Sequence, residues 1–258
     1  MALPRVRLCI DRIIPADERK IAAARRAIRE NPANEPRLPP LSGVSAHPAK
    51  LALITGKKWA NGKALGVGFL EGSARQRQKV EQNATRWSRY ANITLDFKAN
   101  RAAPIRIAFT ADPGSWSAVG TDCLQTDAFP ADGPTMNFGW LTDESADTEY
   151  RRVVVHEFGH ALAAIHEHQN PRGGIQWNTA AVYAYFSGPP NNWTKDEIDQ
   201  NVIQKYAVNQ LNATTFDPDS IMLYAFPKEL LKSGRATKNN TDMSAGDKRF
   251  IKKMYPAK

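Results

Sequence analysis

Cysteine is nearly absent from this chain: Cys9 and Cys123 are the only two, far apart and in no CxxC pair. That excludes a disulfide-dense scaffold and a four-cysteine zinc module; one disulfide, two buried thiols and a thiol beside a metal all remain open. Long apolar runs are missing as well. No stretch approaches the roughly 18–20 residues that cross a bilayer as a helix, so no membrane partner is expected. The first residues, MALPRVRLCIDRIIPADERK, hold no uninterrupted apolar core of a secretory leader, so no signal peptide is visible and a cytoplasmic location stays open. There is no internal repeat. Histidine is scarce in a telling way: of five, only His47 lies outside one short stretch.

What is present is ordinary for a globular protein. The 258 residues are 42% hydrophobic and 24% charged, enough for one large domain or two small ones. The formal net charge is +9, and the first fifty residues carry ten Lys/Arg against five Asp/Glu. Without basic and aromatic residues interleaved, this excess reads as a solvated helix and tail, so no nucleic-acid partner is expected. The chain is expected to be a monomer.

Along the chain, residues 15–31 read as a helix, with Pro15 in the first turn and basic residues late. Five prolines in 31–48 mark an extended linker. Residues 64–72 are strand-like. Residues 73–92 form an amphipathic helix behind a Ser73 cap, with Val80, Ala84, Trp87 and Ala91 on one face. Strands are predicted at 93–97 and 104–109, and further short strands in GSWSAVGTDCL (114–124) and PTMNFGWL (134–141). After residue 170 the sequence is loop-rich, with helices predicted at 178–187, 194–207 and 244–254; the last starts with Ser244 and Asp247 at the capping-box offset. The order is α+β.

The stretch VVVHEFGHALAAIHEHQN (153–170) carries the other four histidines. His156 and His160 are one helical turn apart, so both imidazoles reach one ion, and Glu157 overlooks the same point. Zinc accepts such nitrogen ligands and leaves a position for water. Bound to the metal, that water has a pKa near 7, and the carboxylate takes its proton as it attacks a carbonyl. His166 lies about 240° further round a continued helix, on the wrong face. It joins the metal only if the helix breaks near residue 163 and the chain turns back. His168 reads as a bystander near the site or on the surface.

HEFGHALAAIHE resembles the zinc signature of the metzincin metallopeptidases, and Glu167 after the third histidine narrows the likeness to the astacin-like branch. SIMLY (220–224) resembles that branch's methionine turn, and GSWSAVG (114–120) its substrate-pairing edge strand. IQWN and SAGDKRFIKKMYP add weaker likeness, so the resemblance spans roughly residues 60–256. It implies a metzincin-like fold: a twisted, mostly parallel sheet and the active-site helix in one subdomain, about 51–166. A loop-rich helical subdomain, about 167–258, would follow, with a cleft between. It further implies one catalytic zinc ion on His156, His160 and His166, with Tyr224 as a movable ligand that also stabilises the transition state and Met222 beneath the metal. Trp116 and Ser117 would meet an extended protein or peptide substrate.

The expected activity is that of a secreted zinc endopeptidase with Glu157 as general base. The rival, a catalytically silent zinc-binding interaction module, has no use for that base. In the family, Glu167 anchors the new N-terminus once a pro-region is removed. Here residues 1–50 precede the catalytic domain (51–258) and are a candidate latency segment. Cys9 either caps the zinc as a thiolate or packs in a strand on the core. Three departures stand out: the family's helix-ending glycine is Ala163, where a left-handed backbone costs about 1–2 kcal/mol; Leu223 replaces a frequent histidine; and the partners of the family's disulfides are not evident around Cys123.

Overall fold

Short apolar runs of alternating residues build the sheet. In β1 (Ala64–Phe69) Leu65 and Val67 are fully buried, and the glycines after each of them let a neighbouring segment approach. A Cβ at Gly68 would overlap the Asn100 carbonyl oxygen. With β2 (Thr94–Asp96), β3 (Ile105–Ala108), β4 (Ser115–Ser117) and β5 (Met136–Phe138), the sheet has the order β2-β1-β3-β5-β4. All pairings are parallel except β4 with β5, where Trp116 faces Asn137. The antiparallel strand is therefore an edge. In β3 the charge of Arg106 is buried and answered by the carbonyls of Ala103, Phe129, Pro130 and Gly133, which pins the 129–133 loop beneath the sheet.

This computed structural model describes residues 9, 12, 14, 18–36, 56–111, 114–189, 191–205 and 215–257. They fall into two units, divided between Ala164 and Ile165. The first holds residues 9–164 and 248–257: the sheet, α1 (Glu18–Glu30), α2 (Ala74–Ala84) and α3 (Asp147–Ala161). The second, residues 165–247, holds α4 (Thr179–Phe186), α5 (Lys195–Ile198) and short turns. α6 (Ala245–Met254) is capped by Ser244 and Asp247, each side chain bonding the other's backbone N–H.

Several predicted elements are shorter than their sequence pattern. The helix expected over 73–92 ends at Ala84: the Thr85 hydroxyl bonds back to Glu81, and a 3-10 turn at Trp87–Arg89 turns the Trp87 indole to the Val155 carbonyl of α3. The strand expected through Leu124 stops at Ser117, because Gly120 at φ +52° opens a 3-10 turn over Gly120–Leu124. The helix expected over 194–207 is only α5 followed by a π turn at Asp199–Ile203; residues 206 and 207 lie outside the described residues. So do Pro15 and residues 37–48 of the predicted linker.

α1 packs on the Gly120–Leu124 turn, burying Ala23 and Ala27, with Arg26 donating to the Leu124 carbonyl. Buried Asn34, just after it, donates to the carbonyls of Ala27 (2.9 Å) and Lys58 (2.8 Å) and accepts from the Lys58 N–H (2.9 Å). Lys20 is largely desolvated beside Lys57, which itself pairs with Asp122; burial first, then the second ammonium, pulls the Lys20 pKa down to about 8.

Candidate metal centre

α3 is buried all round from Val153 to Ala161, and His156, Glu157 and His160 are buried with the apolar residues between them. The two imidazoles sit edge to face with their Nε2 atoms 3.2 Å apart. Two nitrogens bound tetrahedrally to one zinc ion at about 2.0–2.1 Å lie about 3.3 Å apart, so this pair fits the ion. The other nitrogen of His160, Nδ1, lies 3.0 Å from the Ala164 carbonyl oxygen. A carbonyl only accepts, so Nδ1 carries the proton and Nε2 presents its lone pair.

That carbonyl is placed by the way the helix stops. Ala163 adopts φ +68°. Its N–H bonds His160 O (2.8 Å) and the Ala164 N–H reaches back to Gly159 O (2.9 Å), a Schellman ending with alanine where glycine is usual. The next two carbonyls are taken by distant side chains: the Trp59 indole N–H donates to Ala161 O (2.8 Å), and the Tyr255 hydroxyl donates to Leu162 O (3.1 Å) while accepting from the Trp59 N–H (3.2 Å). The Ala163 methyl fits because residue 120 is glycine; a Cβ there would stand 2.8 Å from it and overlap the Lys57 carbonyl oxygen.

Cys9 is buried in this same unit, and neither it nor Cys123 is in a disulfide. A Cys9 sulfur, a His156 ring nitrogen and a Glu157 carboxylate oxygen all lie within 4.8 Å of one another. Three residues on, the Arg12 guanidinium covers the Trp116 ring at 4.6 Å from its centroid. Trp116 and Ser117 are both buried on the edge strand β4. Arg152, one turn before His156, is clamped by both carboxylate oxygens of Glu149. Burial works against its charge, and the Glu149 bond with the fields of Cys9, Glu149 and Glu157 outweighs it, holding the guanidinium pKa above its usual value.

The second unit gathers His166, Glu167, His168, Met222 and Tyr224. The Tyr224 hydroxyl meets His166 Nε2 in a short contact, so both polar atoms converge on one point. The Glu167 N–H donates to Met222 O (3.0 Å), which ties the third histidine's segment to the methionine turn. The Glu167 carboxylate accepts from the Asp217 N–H and the Asn170 amide. Burial nevertheless lifts its pKa to about 7. Asp247, found in the sequence only as a helix cap, also holds the methionine turn by accepting from the Ser220 hydroxyl (2.6 Å) and the Ile221 N–H (2.8 Å).

His168 is not a surface residue: it is fully buried against His166, Tyr224, Trp177 and Phe226. Nothing in the local sequence separates it from an exposed polar neighbour, because its partners come from segments up to 58 residues away. The caps of Trp59 and Tyr255 were hidden for the same reason.

The sequence matches no protein-family model and no curated protein. Among solved structures, two of myroilysin are 44% identical to this chain and cover 78% of it. One is matched over 97% of its own length at a TM-score of 0.75, the other over 86% at 0.61. A hatching enzyme zinc-protease from the medaka fish Oryzias latipes is 18% identical, covers 83% of the chain and is itself covered over 99%, at a TM-score of 0.51. That last likeness concerns the fold alone.

Proposed function

The chain is a zinc metalloendopeptidase of the astacin family, and from that premise we propose how its residues divide the work of cleaving a protein or peptide chain. His156, His160 and His166 hold one zinc ion, and the Tyr224 hydroxyl is a further ligand able to leave it. The observation that carries this reading is the pair of Nε2 atoms 3.2 Å apart, with the His160 tautomer fixed by the Ala164 carbonyl. The convergence of His166 Nε2 and the Tyr224 hydroxyl supports the other half of the donor set. Ala164 precedes His166 by two residues, so the chain can carry their Cα atoms no more than about 7.6 Å apart.

When bound, zinc supplies Lewis-acid polarisation of water and of the scissile carbonyl. Glu157 takes the proton of the attacking water and returns it to the leaving amine. The Tyr224 hydroxyl donates to the carbonyl oxygen as negative charge develops there, the kind of bond whose loss costs about 10²–10³ in kcat. An extended substrate adds a strand to the outer edge of β4, alongside Trp116 and Ser117. Met222 holds the Glu167 backbone, and Glu167 receives a new N-terminus after processing. The enzyme acts as a secreted monomer.

The segment over residues 1–50 keeps the site latent, with the Cys9 thiolate as a ligand in place of water. Two contacts support this: Cys9 beside His156 and Glu157, and Arg12 over the ring of Trp116. Digestion of a peptide library by zinc-loaded enzyme, by chelated enzyme and by Glu157→Ala tests the peptidase reading. Cleavage within about tenfold of the zinc-loaded rate in either control overturns it. For latency, Cys9→Ser in the full chain should raise turnover at least tenfold; equal rates for Cys9→Ser and wild type would refute the thiolate's part.

A further inference from the structure

We propose that His168 is a positioning residue for the metal centre, a fixed flat shelf on which the rings of His166 and Tyr224 are set. The proposal rests on the reading of those two residues as zinc ligands. The His168 ring is stacked on His166, centroids 5.1 Å apart and planes 25° apart, and lies 5.2 Å from Tyr224 at 34°. Trp177 and Phe226 close on it edge-on, at 6.1 Å and 5.2 Å, and meet each other at 4.8 Å. The ring is fully buried, so water fills none of its surroundings.

A shelf must itself be held. His168 Nε2 lies 3.0 Å from the Asn201 carbonyl oxygen, and the next side chain, Gln169, donates to the Gln200 carbonyl at 2.9 Å. Both carbonyls belong to the π turn Asp199–Ile203, closed by Gln204 N–H on Asp199 O. Carbonyls at the end of a helix lack partners within it, and these two are taken by the segment that carries the zinc ligand. Because a carbonyl only accepts, Nε2 of His168 bears the proton and the ring plane is fixed. Any movement of the Tyr224 ring toward substrate is therefore a turn against a surface that does not move with it.

Two variants separate shelf from tether. His168→Gln keeps an amide donor within reach of Asn201 O but has no ring; His168→Phe keeps a flat ring and loses the donor. After thermal denaturation confirms folding, zinc affinity is read by competition with a chelator, and kcat and KM on a fluorogenic peptide. His168→Gln should weaken zinc binding about tenfold to a hundredfold, the range for residues that orient a metal ligand. Its kcat should fall at least tenfold with KM within twofold. His168→Phe should lose about threefold in each of kcat and zinc affinity. If His168→Gln matches wild type, or His168→Phe falls as far as His168→Gln, the proposal is overturned. Should His168→Gln fail to fold, His168→Leu takes its place as the ringless variant, and wild-type values in it overturn the proposal. Wild-type protein that neither binds zinc nor cleaves would instead defeat the peptidase reading.

Discussion

Replacing Tyr255 by phenylalanine removes one oxygen atom and nothing else. That oxygen accepts from the Trp59 N–H at 3.2 Å and donates to the Leu162 carbonyl at 3.1 Å, in a fully buried setting. Its loss orphans a backbone donor and a backbone acceptor that water cannot reach. Each such orphan costs about 1–3 kcal/mol. The Trp59 bond is at the long end of the normal range and the Leu162 bond just beyond it, so the low end applies and the total is about 2 kcal/mol. For a chain of this size that corresponds to a Tm lower by about 4–8 °C. Differential scanning calorimetry of the zinc-loaded and chelated protein reads it directly. The Ala163 turn keeps its own two backbone bonds, so zinc affinity and kcat well below the transition should stay within twofold of wild type. Tyr90→Phe is the control, since Tyr90 is exposed. A Tm loss below 1 °C, or one equal to the control's, would refute the idea that the end of α3 depends on these caps.

Glu157→Ala should retain zinc at unchanged stoichiometry while peptide turnover falls about 10²–10⁴-fold; turnover within tenfold of wild type would remove Glu157 as the base. Ala163→Gly relieves about 1–2 kcal/mol of left-handed strain and adds about 0.4–1 kcal/mol of unfolded-chain entropy. It should raise Tm by about 1–3 °C; a lower Tm would mean that the methyl's packing beside Gly120 outweighs the strain. For pH, Lys20 is decisive, its pKa lowered to about 8 in the folded protein against an ordinary 10.5. Between these values the unfolded chain binds more protons than the folded one, so stability rises with pH across that window. Lys20→Met should flatten the rise in Tm between pH 8 and pH 10 relative to wild type; parallel pH curves would refute the assignment.

How far the sequence could be read depended on the range of the interaction concerned. Helical spacing put His156, Glu157 and His160 on one buried face, and the runs at 64–72 and 104–109 marked the strands found at Ala64–Phe69 and Ile105–Ala108, because both patterns are local. The need for a break near residue 163 could be reasoned from angles alone, and Ala163 supplies it at φ +68°. What made an alanine tolerable there could not be read: Gly120, Trp59 and Tyr255 are each far away in sequence. Two helix lengths were overestimated for a related reason, while the strand expected through Leu124 stops where Gly120 turns the chain at φ +52°. Helix propensity in 85–92 and 199–205 gave way to indole, hydroxyl and carbonyl contacts that only the tertiary structure provides. His168 was undervalued because an aromatic box assembled from residues 166, 177, 224 and 226 leaves no periodic mark.

The two caps on α3 also set a timetable. Trp59 is made well before the helix it serves, but Tyr255 follows Leu162 by 93 residues. At about 5–20 residues per second, synthesis delivers it about 5–20 s after the helix has been made. During that interval the histidine-bearing helix ends on an unfinished carbonyl, and the Trp59 N–H lacks its acceptor. A metal-binding helix whose end is completed by a residue 93 positions later is finished only after the whole segment between them has been made.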